Sequence, residues 1–400
     1  MDSIENPPRT WLMLGGKAGD NTQITALAEG LGWPFETRRM AYRRTEILTN
    51  LLAGPTVAGL VPERSDPLQP PWPELVISAG RRNEPLIRWI QLQAARDPAL
   101  PRVRLVHVGR PWALHECFDL IVTTPQYRLP EKPNILHNEL PLQRVNAGRL
   151  QREAAAWQGR LAHLPAPHIA LLVGGHAGPY NFDRENGALL GCHASRMAAE
   201  RGGSLLVTTS ARTPEAAIDA FASQLRVPHS LHRFVRFQPP EENPFFAFLG
   251  MASEIIVTSD SMSMLAEAVA TGRPTHIFDL ARGPRSNRPR RPADGSIAPR
   301  TLEERLADFR TQAIMYKIGM HAVPRRLTRD VRIIHDRQVA AGRAVWLGHP
   351  WPDDRPNPPP LTDLPRAVEA VRRLFGPYPP PPPALPDSRW PELIQRVFQG

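Results

Sequence analysis

The residues best suited to chemistry lie between an apolar run, Glu254 to Thr258, and a helical pattern, Met262 to Thr271. The first turn of a helix carries backbone N–H groups without intrahelical partners and the positive end of the helix dipole, so it can bind phosphate. The hydroxyls of Ser261 and Ser263 would add two donors there. This turn therefore predicts a diphosphate site formed by Ser259, Asp260, Ser261, Met262 and Ser263.

Glu267 lies in the same helical pattern, on a face that we expect to be exposed. Its carboxylate could accept hydrogen bonds from both hydroxyls of a ribose while the helix start holds the diphosphate. A second interpretation fits equally well, in which Ser259 or Ser261 caps the helix and Glu267 is solvated, because serine is a preferred N-cap. These two alternatives stay open from the sequence.

Two glycines, Gly174 and Gly175, directly follow another apolar run, His168 to Val173. Glycine lets a ligand approach the backbone closely, although any tight turn between a strand and a helix also favours it. Thr209 and Ser210 end the next apolar run. Because ligands of parallel sheets bind at the carboxyl ends of the strands, these residues are compatible with lining the same crevice as the serine turn.

A glycine-rich turn follows the first apolar run of the chain and carries one of only three lysines. It is not a P-loop, because Lys17 is not followed by serine or threonine. Two arginines occupy the equivalent place after the next run. These cations could converge on an anionic substrate, although turn chemistry and surface charge explain each of them as well. The candidate residues are Gly16, Lys17, Gly19, Asp20, Arg81 and Arg82.

Short apolar runs alternate with helical patterns through the first 280 residues. This rhythm predicts parallel α/β units whose strands are buried on both faces. Pro165 and Pro167 mark a hinge, after which the alternation restarts. We therefore predict an α/β fold of two doubly wound Rossmann-like domains in tandem. The predicted domains are residues 1–163 and 164–280, and a helical, Pro- and Arg-rich extension at 281–400 is expected to pack back across them.

Composition excludes several classes of protein. The 400 residues are 42% hydrophobic and 22% charged, and no run of about 18 apolar residues exists, which predicts a globular protein without a transmembrane helix. Only Cys117 and Cys192 occur, so a disulfide framework and a cysteine-built zinc site are excluded. A reducing, cytoplasmic location is expected.

The net charge of +10 is concentrated in the last third of the chain. Residues 281–400 carry 21 basic and 12 acidic groups, a net +9, and residues 281–300 alone hold six arginines. This charge could serve an anionic membrane surface or only keep the segment solvated. Nucleic-acid binding is not expected, because no recognition-helix, zinc-finger or aromatic RNA-binding signature accompanies the charge.

Several motifs, in order along the chain, are shared with a known family: Gly16–Gln23, Ser78–Arg82, Leu172–Gly175, Leu206–Pro214, Glu242–Leu249 and Val257–Met264. On these residues the sequence resembles bacterial members of the mitochondrial fission ELM1-like family. The second half is also similar to the donor domain of GT-B glycosyltransferases, in which a serine-rich turn binds diphosphate and a glutamate of the next helix binds ribose. Ser261, Ser263 and Glu267 match those positions.

The resemblance implies a GT-B-like fold and a metal-independent glycosyltransferase that uses a nucleoside diphosphate-sugar as substrate and needs no other cofactor. The acceptor would be anionic or lipid-linked, as in glycosylation of the cell envelope. In this interpretation Asp20 is the candidate general base, and Lys17 or Arg81 offsets negative charge. The alternative is a non-catalytic scaffold that keeps the fold and binds a protein partner or a membrane surface.

Overall fold

The computed structural model describes residues 7–43, 54–178, 180–235, 242–280, 329–351 and 358–376. The chain forms two compact units. Among these residues, unit 1 contains 7–144, 329–330 and 361–376, and unit 2 contains the rest. The 281–300 segment and Pro379–Pro383, both singled out in the sequence, lie outside the described residues.

Unit 1 contains a six-stranded parallel sheet with the order β2-β1-β3-β4-β5-β6. The chain order reverses between β1 and β3, and such a switch point opens a crevice at the carboxyl ends of the strands. Helices α1 and α2 cover opposite faces of the sheet. The elements are β1 (Thr10–Leu14), α1 (Ala18–Leu31), β2 (Phe35–Arg39), β3 (Leu75–Ala79), α2 (Glu84–Ala94), β4 (Arg104–Val108), β5 (Leu120–Thr123) and β6 (Ile135–His137).

Unit 2 contains a second six-stranded parallel sheet, with the order β12-β11-β10-β7-β8-β9. This is the Rossmann order, and its switch point lies between β7 and β10. The elements are α3 (Ala147–Leu161), β7 (His168–Leu172), α4 (Arg184–Glu200), β8 (Ser204–Thr208), α5 (Glu215–Ala222), β9 (His229–His232), α6 (Phe245–Met251), β10 (Glu254–Thr258), α7 (Met262–Ala270), β11 (Thr275–Phe278), α8 (Arg332–Ala340) and β12 (Val345–Trp346).

A last helix, α9 (Asp363–Arg373), returns to unit 1 and packs on α1. Its apolar face buries Ala367, Val368 and Val371 in the same core as Ile24 and Leu27. The Asp363 carboxylate accepts the backbone N–H groups of Glu139 at 2.8 Å and Leu140 at 3.0 Å, which anchors the start of the helix.

Two doubly wound, GT-B-like units in tandem are therefore confirmed, with strands at the central positions that the apolar runs predict. No helix within the described residues is long and apolar enough to cross a bilayer.

Candidate functional site

Three loops of unit 2 meet around the Asp260 carboxylate, at the carboxyl ends of β7, β8 and β10. Asp260 Oδ2 accepts the backbone N–H of Gly175 at 2.9 Å, and Oδ1 accepts the Thr258 hydroxyl at 2.7 Å. Arg212 Nη2 forms an ion pair with Oδ2 at 3.0 Å. The sheet switch point thus lies beside a polar cluster that joins the three loops.

Burial raises the pKa of the Asp260 carboxyl, and the Arg212 guanidinium and the hydrogen bonds oppose that rise. The Asp260 side chain is fully buried, whereas 43% of the Arg212 side chain is exposed. Both oxygens of Asp260 are engaged by the protein. The carboxylate therefore positions the loops, and Arg212 is the cation of the pair that reaches solvent.

Gly174 and Gly175 are needed for the contact between these loops. A Cβ on Gly174 would overlap the Asp260 carboxylate, and one on Gly175 would overlap the backbone of Arg212. The N–H of Gly174 also donates to Thr258 Oγ1 at 2.8 Å. The close contact between the loops is therefore a structural reason for these two glycines. The sequence-based argument considered the approach of a ligand and the tightness of the turn, but not this contact.

The hydroxyls after β8 are also engaged by the protein. Thr209 Oγ1 accepts the N–H of Phe234 at 2.8 Å, and Ser210 Oγ lies 3.1 Å from Thr213 Oγ1. Thr213 is not the N-cap of α5, because Pro214 holds that position. The Thr213 hydroxyl instead contacts the carbonyl of Val173 at 3.2 Å and so joins β8 to β7.

In the serine turn, neither Ser259 nor Ser261 caps α7 through its side chain. Ser259 Oγ accepts the N–H of Leu280 at 2.9 Å and joins β10 to the end of β11. Ser261 occupies the N-cap position with an extended backbone, but its hydroxyl makes no capping hydrogen bond. Ser263, in the first turn, is partly exposed. The first-turn N–H groups of α7 therefore receive no side-chain cap from Ser261, which counts against the capping alternative.

Glu267 is buried, at 6% exposure, so the expected exposed helix face is wrong. The reason is that α7 is enclosed on several sides, and Leu265, Ala266, Ala268 and Val269 around it are buried as well. The helical spacing identifies the residue but not how many neighbours surround its helix.

The glycine-rich turn of unit 1 is held by two asparagines. Asn21 accepts the N–H of Gly15 and donates to its carbonyl, both at 2.9 Å. Asn83 Nδ2 donates to the carbonyls of Met13 and Ala79, both at 3.0 Å, and so joins the ends of β1 and β3. Neither asparagine is among the sequence-predicted site residues, although both lie inside the turns that were identified.

Lys17 and Asp20 lie together at this second switch point. Lys17 Nζ is 4.0 Å from Asp20 Oδ2, with 73% of the lysine side chain and 32% of the aspartate side chain exposed. Asp20 also lies against Gly80, where a Cβ would be 2.8 Å from Oδ2 and where φ is +74°. Gly16 is open, since no atom of the described residues lies within 4 Å of the place that a Cβ would take, and Gly19 lies in the first turn of α1.

Arg81 and Arg82 diverge in surroundings. The Arg81 guanidinium lies 4.6 Å from the centre of the Trp112 ring, and Arg82 is exposed. The loop that carries Trp112 is held by the buried Glu84, whose carboxylate accepts the N–H groups of Trp112 and Ala113. Burial raises the pKa of Glu84 to about 7. Sequence reasoning missed Glu84, because a glutamate at a helix start is ordinarily exposed.

Within the described ranges, no group of three or more His, Cys, Asp and Glu side chains could hold a metal ion.

The family model described as Mitochondrial fission ELM1 matches residues 18–294, well over half of the chain. The chain belongs to this family. This chain is 22% identical over 300 residues to a Rickettsia prowazekii protein named Uncharacterized protein RP120. The matched residues are 67% of this chain and 82% of that relative. The Arabidopsis thaliana Mitochondrial fission protein ELM1 is 22% identical over 227 residues, which are 51% of each chain.

Solved structures are similar to the ELM1-family chain only distantly. The Methanocaldococcus jannaschii UDP-GlcNAc 2-epimerase, solved with UDP-GlcNAc and UDP, is 11% identical, covers 98% of this chain and 100% of its own, and has a TM-score of 0.41. WaaG, a glycosyltransferase involved in lipopolysaccharide biosynthesis, is 11% identical, covers 68% and 81%, and has a TM-score of 0.37. Similarities this low transfer no activity.

Proposed function

We propose that this ELM1-family protein binds a nucleoside diphosphate-sugar at the switch point of unit 2 and transfers the sugar to an anionic or lipid-linked acceptor. The observation that carries the proposal is the start of α7, which lies at the carboxyl end of β10 and has no side-chain cap from Ser261. Its N–H groups and dipole suit a diphosphate.

The surrounding charges support a diphosphate at this position. Arg212 is half-exposed and held by the buried Asp260, so its guanidinium is oriented before a ligand arrives. The Ser263 hydroxyl in the first turn of α7 adds a donor. Donors fixed in advance would stabilise the negative charge that develops on a leaving diphosphate. Glu267 retains the proposed role of ribose acceptor, now from a buried position.

Unit 1 would supply the acceptor side of the reaction. Asp20 is the proposed general base, because its carboxylate lies beside the switch point of β1 and β3 and is partly exposed. Lys17, 4.0 Å away, and Arg81 would offset the charge of an anionic acceptor. The proposal needs no metal ion.

Titration calorimetry with uridine diphosphate and other nucleoside diphosphates tests the donor site. Ser263→Asp should weaken binding about tenfold or more, since like charges about 4 Å apart repel by about 1 kcal/mol in water and about 4 kcal/mol near a protein surface. The same change should keep or slightly raise the melting temperature, because an acidic residue suits a helix start. Ser263→Asn is the neutral control of similar size.

Two results would contradict the donor site. One is undiminished binding by Ser263→Asp, which would place the nucleotide elsewhere. The other is no binding of any nucleoside diphosphate by the unaltered protein, which would favour the scaffold alternative.

We also propose that the protein associates peripherally with anionic membranes through the arginines of residues 281–300, a segment outside the described residues. Each basic residue near an anionic surface contributes about 1 kcal/mol. Vesicles containing anionic lipid, but not neutral vesicles, should sediment the protein at low salt, and the binding should weaken as salt rises. Replacing Arg282, Arg285, Arg288, Arg290, Arg291 and Arg300 by serine should abolish it; unchanged sedimentation of that variant would refute the assignment.

A further inference from the structure

A groove of about 690 Å³ opens on unit 2 at the amino ends of its strands. Helices α3 and α6 form one side, and the turn between α7 and β11 forms another. The two helices pack closely, since a Cβ on Gly250 would lie 2.5 Å from the Leu150 carbonyl oxygen. Strand β7 starts at this groove with His168 and ends near the Asp260 cluster, about 13 Å away for five residues of strand. The groove is therefore separate from the proposed donor site.

The lining of the groove mixes polar and apolar side chains, with a single full charge among the described residues. Its polar residues are Asn146, Gln151, Gln158, His168, Thr271 and Arg273. His168 contacts Ser204 Oγ through Nδ1, and burial lowers the pKa of its ring, so it is neutral at pH 7. The alanines of α3, together with Met251, supply apolar surface. A volume of this size is typical of small-molecule sites.

Arg273 has no countercharge among the residues that the structure describes. Its Nη2 donates to the Gly250 carbonyl at 2.7 Å, while Nη1 is buried and has no hydrogen-bond partner within the described part of the chain. No carboxylate lies within ion-pair distance of it among the residues that the structure describes. Burial alone lowers the pKa of Arg273. A partly desolvated guanidinium with an unsatisfied donor is unfavourable, and native proteins complete such groups with an ordered water, an ion or a ligand.

We propose that this groove binds a small organic oxyanion, a carboxylate or a phosphate monoester, whose charge pairs with Arg273. A guanidinium presents parallel donors that match both groups. Arg273 is partly exposed, so a rotation of its guanidinium would turn Nη1 toward the ligand while the neutral amides and alanines contact the ligand body. The site would be an effector site, because it lies at the opposite edge of the sheet from the proposed chemistry.

Titration calorimetry on the full chain tests the proposed groove site with benzoate and phenyl phosphate. Acetate and inorganic phosphate carry the corresponding anionic groups without the aromatic ring. Neutral benzyl alcohol controls for apolar contact alone. The structure leads us to expect binding of at least one aromatic anion and none of benzyl alcohol. The preferred anion then distinguishes a carboxylate ligand from a phosphate ligand.

Two variants should each weaken that binding about tenfold or more. Arg273→Met removes the charge, and Ala155→Trp fills the groove from an exposed position of α3 and leaves residue 273 unchanged. The matched control is Arg226→Met, which removes an arginine of unit 2 that also lacks a carboxylate partner among the described residues but donates to the carbonyls of Ser223 and Leu225. It should bind as the unaltered protein does.

The proposal fails if neither aromatic anion binds at millimolar concentration, if Ala155→Trp binds the preferred anion as well as the unaltered protein does, or if benzyl alcohol binds as tightly as the preferred anion. Because Ala155→Trp leaves the arginine in place, the test stands even if Arg273→Met does not fold. Uridine diphosphate binding should be unchanged in Ala155→Trp, so failure at the groove and failure at the donor site are distinguishable.

Discussion

At the scale of single residues, the most informative feature is that polar side chains which look like ligand donors in the sequence are largely used to join loops. Asp260 joins β7 to β10, and Ser259 joins β10 to the end of β11. Among the candidate side chains that still reach solvent are Lys17, Arg82 and, in part, Ser263 and Arg212. In the proposed donor site, the ligand would therefore contact Arg212, which the buried Asp260 orients.

At this scale we predict that the titration of Glu84 makes the stability of the protein depend on pH. The pKa of Glu84 is about 7 in the folded protein, against an ordinary value of 4.5, so between these pH values the folded state holds a proton that the unfolded state has lost. Its contribution therefore lowers stability as pH rises through that window, by roughly 3 kcal/mol in total. Glu84→Gln removes the titration, and urea unfolding at pH 4.5, 6 and 8 should show the variant gaining stability relative to the unaltered protein as pH rises. A constant difference across the three pH values would contradict the assignment.

At the scale of elements, the strands that the apolar runs predict are the central ones, and the strands missed are those at the sheet edges. These are β2, β6, β9 and β12. An edge strand is paired on one side only and is less buried, as in β2, where all five residues are partly or fully exposed. Such a strand needs no continuous apolar run.

At this scale we predict that helix α9 stabilises unit 1, because it completes the core of that unit on the face of α1. Val371 is fully buried there, so Val371→Ala should lower the free energy of unfolding by about 2 kcal/mol. Glu369→Ala, on the exposed side of the same helix, should change it by less than about 0.5 kcal/mol. Chemical denaturation of both variants measures the difference; equal effects would mean that α9 adds no core packing.

At the scale of the whole molecule, we expect two parts of the C-terminal segment to contribute differently to stability. Residues 361–376 belong to unit 1, whereas 377–400, of which eight are proline, lie outside the described residues. Ending the chain after Gly376 should leave the melting temperature within a few degrees. Ending it after Pro360 removes α9 and should lower it by roughly 10 °C or more, at about 2 to 4 °C per kcal/mol. Calorimetry on the two truncated chains decides, and loss of soluble protein from the first would mean that the tail docks on a unit.

The sequence by itself determined the α/β class, the repetition of the doubly wound pattern, the central strands and the family. It could do so because a strand buried on both faces must be apolar along its length, and the turns that follow such strands keep recognisable glycines and hydroxyls. The turns at both switch points were located for the same reason.

Only the tertiary structure decided which of these residues meet. The pairing of Arg212 with Asp260, the burial of Glu267 and the return of α9 to α1 depend on contacts between segments that are distant in the chain. A local pattern reports whether a residue suits a helix or a strand, but not how many other elements surround it. That is why the positions of the loops could be predicted from the sequence, whereas the contacts and roles of their side chains became clear only from the packed fold.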